Sequence, residues 1–373
     1  MTMAMPEHCT SYLVDLSRRA TVPLFALLLT ACSTVDYYGQ LARGQLQLLH
    51  ARQPVQTLIE DRSTDPQLRQ RLALSQQARS FASEHLGLPD NRSYRLYADL
   101  QRPFVVWNLF ATPEFSLQPR LHCFPIAGCV AYRGFYDQSR ARGAAALLDV
   151  QGLDTYLGGV EAYSTLGWFD DPILNTMLRW SDERLVAVIF HELAHQQYYL
   201  AGDTAFNESY ATFVEQEGLR QWRAARGLPA PKALGVLPRE QFTELVLASR
   251  ARLETLYASD LDAEAMRAGK QAEFDRLRDE YRQLRATQWK GVGYYDGWIN
   301  GPLNNAKLLP FGLYDRWVPA FASLFREVEG HWPAFYRRVA ELGALPADER
   351  LTQLQALDVV REERSRHNTE DGS

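Results

Sequence analysis

Two histidines, His191 and His195, stand four residues apart in the run His191-Glu192-Leu193-Ala194-His195. On a helix that spacing sends both imidazoles out of one face, one turn apart. Two neutral imidazoles so placed can grip one zinc ion, and Glu192, about 100° around the helix, can reach a water beside it. The preceding run, Leu185 to Phe190, is apolar on every side, so the helix is expected to be buried. A buried helix carrying His, Glu, His, Gln and Gln needs partners for those groups, because burying them unpaired is costly. One zinc class is excluded at once. It requires a glycine and then a third histidine shortly after the second, and Tyr198 and Ala201 occupy those positions.

Downstream, Phe206-Asn207-Glu208-Ser209-Tyr210-Ala211 falls near the start of the next helix. The two motifs together resemble the gluzincin metallopeptidases, many of which carry His-Glu-x-x-His followed by Asn-Glu-x-aromatic-Ala. The resemblance implies that His191, His195 and Glu208 hold one Zn²⁺ per chain, with Glu192 as the catalytic base. The interval from His195 to Glu208 is shorter than in the best-known gluzincins, so the connecting loop must be tight. Glu215, on the same helix face as Glu208, would nearly restore the longer interval and is the alternative ligand. Asn207 and the Gly202-Asp203 turn, which lets two antiparallel helices face each other, favour Glu208.

The likeness reaches further. The blocks PIAGCVAYRGFYD, AYSTLGWFDDPIL, HELAHQQYY, FNESYATFVE and LNNAKL are spread over most of the chain. With a lipoprotein-type leader, they look like a family of bacterial proteins described as "putative aminopeptidases". Gly158-Gly159-Val160-Glu161-Ala162 is similar to the edge strand Gly-x-Met-Glu-Asn of gluzincin aminopeptidases, with Val for Met and Ala for Asn. That likeness makes Glu161 a candidate anchor for a substrate's free amine; otherwise it is an exposed strand residue. Such a strand edge can accept a substrate as an added strand. Gluzincins often place a Tyr or His well after the third ligand to meet the oxyanion. Tyr294, Tyr295 and Tyr314 are candidates, although with 18 tyrosines in the chain packing roles compete. Asn304 and Asn305, just before a helix, either bind substrate backbone or cap that helix.

The elements that must position these groups are largely helical. Ser181, followed by Asp182 and Glu183, suits a helix start, and Gly202 a stop after about Leu200. A second helix is expected over Thr204–Arg226, and Gly227 to Pro231 form a linker. Phe242–Trp289 has apolar residues at helical spacing with charged faces, as in an antiparallel helical hairpin. Gly291–Asn300 is a Gly/Tyr loop, and helices over Tyr314–Val328 and Trp332–Leu342 close the fold. Upstream, two helical segments fill Tyr38 to Leu88. Strands are expected over Tyr94–Leu100, Phe104–Phe110, Val130–Phe135 and Thr155–Thr165, with a helix over Gln138–Val150. The fold class is α+β, predominantly helical: a gluzincin-like core with a small sheet, then a helical C-terminal part. The expected divisions are 1–31 leader, 32–90 N-terminal helical segment, 91–230 zinc-site core, 231–363 helical hairpin and C-terminal helices, and 364–373 a frayed tail.

Composition bounds the rest. The 373 residues are 46% hydrophobic with a net charge of −5, enough for a large core and against nucleic-acid binding. Four cysteines are too few for a disulfide-dense scaffold. Arg18 and Arg19, the apolar run Ala20–Leu29 and Leu29-Thr30-Ala31-Cys32 resemble the lipobox of bacterial lipoproteins. That resemblance implies lipid on Cys32 and, with Ser33 where Asp would retain the protein at the inner membrane, an outer-membrane anchor facing the periplasm of a Gram-negative cell. Cys9 leaves with the leader. Cys123 and Cys129, close together in a compartment that permits disulfides, are expected to pair. The sequence therefore points to a zinc metallopeptidase tethered by lipid and acting on peptides or proteins; the resemblance adds aminopeptidase action. The alternatives are a processing endopeptidase of envelope proteins and a non-catalytic envelope assembly factor with a residual zinc site. No oligomeric state is assigned.

Overall fold

Between Arg52 and Leu174 strand formers and chain breakers alternate, and there the chain builds three small sheets. The structure is a computed structural model describing residues 36–124, 128–162, 164–229, 236–311 and 316–370. The expected leader, Cys32 and Tyr314 lie outside the described residues. The chain divides into two units, Met1–His50 and Ala51–Ser373. The described part of the first is one helix, α1 (residues 36–50). The division falls inside the expected N-terminal segment, and everything after it belongs to the second unit.

In that unit β1 (Arg52–Pro54) pairs antiparallel with β2 (Leu96–Ala98), which pairs parallel with β8 (Ile173–Leu174). A second sheet has the order β6 (Tyr132–Phe135), β3 (Val106–Pro113), β7 (Leu153–Val160), antiparallel throughout. The third is the hairpin of β4 (His122–Phe124) and β5 (Gly128–Val130), in which Cys123 faces Cys129 and the two are joined by a disulfide. β1, β4 and β8 were not expected: two or three residues carry no alternation to detect.

The central sheet presents a patterned face. Phe110 is opposite Tyr132 on one side and Tyr156 on the other, and Asn108 is opposite Gly134 and Gly158. Because side chains alternate along a strand, these form two neighbouring rows on one face. Ala306 and Leu309, in and after the short helix α10 (Asn305–Leu308), pack on the aromatic row. Helix α4 (Gln138–Asp149), capped by Asp137, also packs on this sheet.

The remaining helices make up most of the mass: α2 (Val55–Glu60), α3 (Pro66–Glu84), α5 (Asp182–Gln197) and α6 (Thr204–Ala225), with α5 packed on both α3 and α6. The expected hairpin is α7 (Val236–Tyr257) and α8 (Ala263–Thr287), closed over Phe242, Val246, Leu253, Phe274, Leu277 and Tyr281. The Gly/Tyr loop contains one helical turn, α9 (Asp296–Ile299). Helices α11 (Val318–Glu327), α12 (Trp332–Ala344) and α13 (Ala347–Glu370) follow. The last, α13, extends to Glu370, into the stretch 364–373 expected as a tail. Its Glu- and Arg-rich sequence is made of good helix formers. Among the described residues no helix is long and apolar enough to cross a membrane.

Candidate metal centre and active site

Helix α5 starts where the Ser181 hydroxyl accepts the Arg184 amide, 3.3 Å away, with Asp182 and Glu183 in its positive first turn. Leu185, Ile189, Phe190 and Leu193 are fully buried, and Phe190 packs against Phe81 and Trp222. The helix ends at Tyr198, whose backbone is extended, a little earlier than expected. Gly202, at φ +85°, turns the chain, and the Asp203 carboxylate caps α6 through the Phe206 amide. Asn207 makes this short connection rigid. Its side-chain oxygen accepts from the Leu200 amide at 2.8 Å and its nitrogen donates to the Leu200 carbonyl at 2.7 Å. The next residue is Glu208.

Helix α6 has two working faces. Phe206, Tyr210 and Phe213 pack on Phe321, Phe325 and Phe335 of α11 and α12. Glu208 and Glu215 face α5. The Nε2 atoms of His191 and His195 lie 3.2 Å apart, and the Glu208 carboxylate is 3.5 Å from the first and 3.7 Å from the second. A tetrahedral zinc at 2.0–2.1 Å from each nitrogen would set them about 3.3 Å apart, so the ring spacing fits the ion. Among the described residues, this is the one group of three His, Cys, Asp or Glu whose ligand atoms converge within 4.8 Å. Three ligands with an open position are the pattern of catalytic rather than structural zinc.

Glu215 is not in that group. Its carboxylate lies 3.0 Å from Nδ1 of His191, the far side of the ring, and so would orient the imidazole rather than bind the ion. The Arg239 guanidinium is 3.9 Å from the other carboxylate oxygen. His195 has no comparable support among the described residues, where its buried Nδ1 has no hydrogen-bond partner.

The electrostatics show a centre short of positive charge. Burial works to discharge His191, yet bonds to Glu208 and Glu215 and the nearby charges outweigh it and lift its pKa to about 10. Burial likewise works to protonate Glu208, but His195 and His191 hold it down to about 2. Buried Glu192 is pushed up, first by burial and then by Glu208 and Asp171, against the lowering effect of the histidines. A carboxylate raised in this way holds a proton more readily than an exposed one, as a general acid–base group requires.

Gln196 ties two loops to the end of α5. It accepts from Asn91 at 2.7 Å and donates to Ser93 at 3.2 Å and to Asp171 at 3.3 Å. Asp171, buried, is also bonded by the amide and hydroxyl of Thr165. The loop at Pro89 to Ser93 is held in turn by the buried guanidinium of Arg79.

The secondary candidates fare differently. Glu161 accepts from the Trp180 indole at 2.7 Å and from Arg184 at 3.3 Å, so its carboxylate is already engaged, which argues against an amine anchor. Asn304 caps α10 and donates to the Thr155 carbonyl. Asn305, completely buried, donates to the Glu114 and Ser116 carbonyls and accepts from the Tyr257 hydroxyl. Structural bonds thus occupy both, in place of the alternative substrate-binding role. Tyr295 stacks on Phe242 within the hairpin core and Tyr294 is an exposed ring edge-on to Trp289, so both serve the α7–α8 region.

Two other tyrosines stand at the centre. The Tyr132 phenol is pushed up by burial and by the charges of Glu208 and Glu192, and its hydroxyl has no hydrogen-bond partner among the described residues. The Tyr199 ring stands edge-on to His195 at 6.4 Å, and its phenol is raised by burial and by Glu208. Proximity in sequence carried a signal for Tyr199, which stands just past the end of α5, four residues beyond His195. Tyr132 carried none, because it reaches the site across two elements.

No curated protein and no solved structure shows significant similarity to the chain. One family, described as "Putative aminopeptidase", matches residues 36–354, nearly the whole of the described chain. With that match alongside the paired motifs on α5 and α6, the chain belongs to the "Putative aminopeptidase" family.

Proposed function

We propose that this protein is a zinc-dependent peptidase that hydrolyses peptide bonds with Glu192 as its proton carrier. The observation that carries the reading is the convergence of His191, His195 and Glu208 beside a buried carboxylate whose affinity for protons is raised. Zinc held there would supply Lewis acidity, bringing the pKa of a coordinated water towards about 7. Glu192 takes a proton from the attacking water and delivers it to the leaving amine. Glu215 fixes the His191 ring, and the Tyr132 hydroxyl, without a hydrogen-bond partner among the described residues, is available to the carbonyl oxygen as charge develops on it.

Aminopeptidase action comes from the family; with Glu161 engaged by Trp180 and Arg184, no amine anchor adds to it. Lipid attachment at Cys32, an outer-membrane location and a periplasmic substrate belong to the same proposal. The test is Glu192→Gln, which should keep zinc by elemental analysis and lose hydrolysis of a peptide library. Hydrolysis at the wild-type rate would overturn the mechanism. Comparing free with N-blocked peptides separates exopeptidase from processing endopeptidase, and zinc binding without cleavage of either would favour a non-catalytic envelope factor.

A further inference from the structure

The β4–β5 hairpin has three residues on each side, and among the described residues its strands pair only with each other. A two-stranded ladder standing alone is marginal in water, and this one is short. What closes it is the disulfide between Cys123 and Cys129, two directly opposed residues. Cys123 is exposed and Cys129 half-buried, so a thiol in solution can reach the bond. Exposed disulfides are the labile, regulatory kind.

The hairpin is linked to the candidate centre in two ways. A Cβ on Gly128, the neighbour of Cys129, would stand 2.8 Å from the Gly202 backbone nitrogen, 3.2 Å from its Cα and 3.4 Å from the Ala201 carbonyl carbon. Backbone therefore rests on backbone at the turn between α5 and α6, which spaces Glu208 from the histidines. In addition, β5 passes after a single residue into β6, whose first residue is Tyr132. The turn also has a support that does not depend on the hairpin, since Arg350 of α13 meets the Asp203 carboxylate at 3.2 Å.

We propose that the Cys123–Cys129 disulfide is a redox-sensitive brace of the metal centre, holding the α5–α6 turn when closed and releasing it when a dithiol reduces it. This regulation acts on the site proposed above and rests on that reading. One thiolate of the dithiol attacks Cys123 Sγ; the S–S bond breaks and its electron pair leaves on Cys129 Sγ, which takes up a proton. The second thiol then attacks the mixed disulfide, which closes the dithiol's own disulfide and leaves Cys123 as a thiol. The dithiol is oxidised, and two protein thiols replace one bond. Without its staple the short ladder opens, Gly128 leaves Gly202, and the position of Glu208 loses a constraint.

The experiment compares three forms of the full chain. One is oxidised; one is reduced with dithiothreitol, alkylated with iodoacetamide and desalted; the third is Cys123→Ser/Cys129→Ser. Peptide masses confirm the alkylation, and the serine variant controls for Cys9 and Cys32. In metal-free protein, amides from Tyr198 to Glu208 should exchange about tenfold faster in both opened forms, with α7 and α8 unchanged. Zinc Kd, read by competition with a chromophoric chelator, should rise about tenfold. Exchange or zinc Kd within about twofold of the oxidised chain in both opened forms would overturn the brace. Equal acceleration in α7 and α8 would make the bond a general staple and overturn it as well. If even the oxidised chain binds no zinc, the zinc reading itself fails and the switch falls with it.

Discussion

A histidine can ligate through only the nitrogen its surroundings leave free, and at His191 that choice is made by Glu215. The carboxylate at Nδ1 fixes the tautomer and turns Nε2 towards His195 and Glu208. Glu215→Ala should therefore lower zinc affinity by about 10- to 100-fold with the ligand set intact, measured by competition with a chromophoric chelator. Unchanged affinity would return Glu215 to a purely packing role. The same residues show how far sequence reached. His191, Glu192 and His195 were legible because helical spacing alone fixes their mutual geometry. Glu208 needed the family likeness, because its distance from the histidines depends on a loop. Glu215 carried the right helix face but the wrong role: spacing along α6 cannot tell which side of an imidazole a carboxylate meets.

The turn between α5 and α6 sets the distance between the histidines and Glu208, and the disulfide hairpin lies against it. Gly128 in β5 has φ +71°, and a Cβ there would fall 2.8 Å from the backbone nitrogen of Gly202. Gly128→Ala must therefore move either the hairpin or the turn, in addition to about 1–2 kcal/mol for a left-handed conformation. The expected outcome is a lower melting temperature together with weaker zinc binding, read by calorimetry and the same chelator assay. A variant that melts and binds zinc like the wild type would show that the hairpin does not brace the turn. Local codes made much of this level legible: Ser181, Gly202 and Asp203 mark the ends of α5 and α6 in sequence. Nothing local marked the contact of Gly128 with Gly202. Tertiary packing, not propensity, also decided which tyrosine reached the candidate centre, since Tyr294 and Tyr295 sit in an inviting Gly-flanked loop but pack with the hairpin.

Across the whole molecule, the candidate centre carries more negative than positive charge, and stability should follow that imbalance. Glu192, Glu208 and Glu215 surround two imidazoles at a largely buried site. In the metal-free protein His191 offsets part of the deficit by keeping a proton, its pKa lifted to about 10 against the effect of burial. A group whose pKa is raised on folding stabilises the fold below its unfolded value, and that contribution is lost as pH rises through the folded one. For His191 the window runs from the ordinary 6.5 to about 10. Glu208 acts at the opposite end: held down to about 2, it stabilises above its ordinary 4.5 and loses that contribution as pH falls. Metal-free protein should thus be most stable between these two windows. On the zinc reading, the ion would replace the His191 proton with a charge that does not titrate there, and at a thousandfold excess over its Kd would add about 4 kcal/mol by linkage. Melting temperatures of the chelated protein should fall steadily from pH 6.5 to 10 while those of the zinc-loaded protein stay level, so the gap widens with pH. Parallel slopes for the two forms would mean that His191 does not hold the balancing charge.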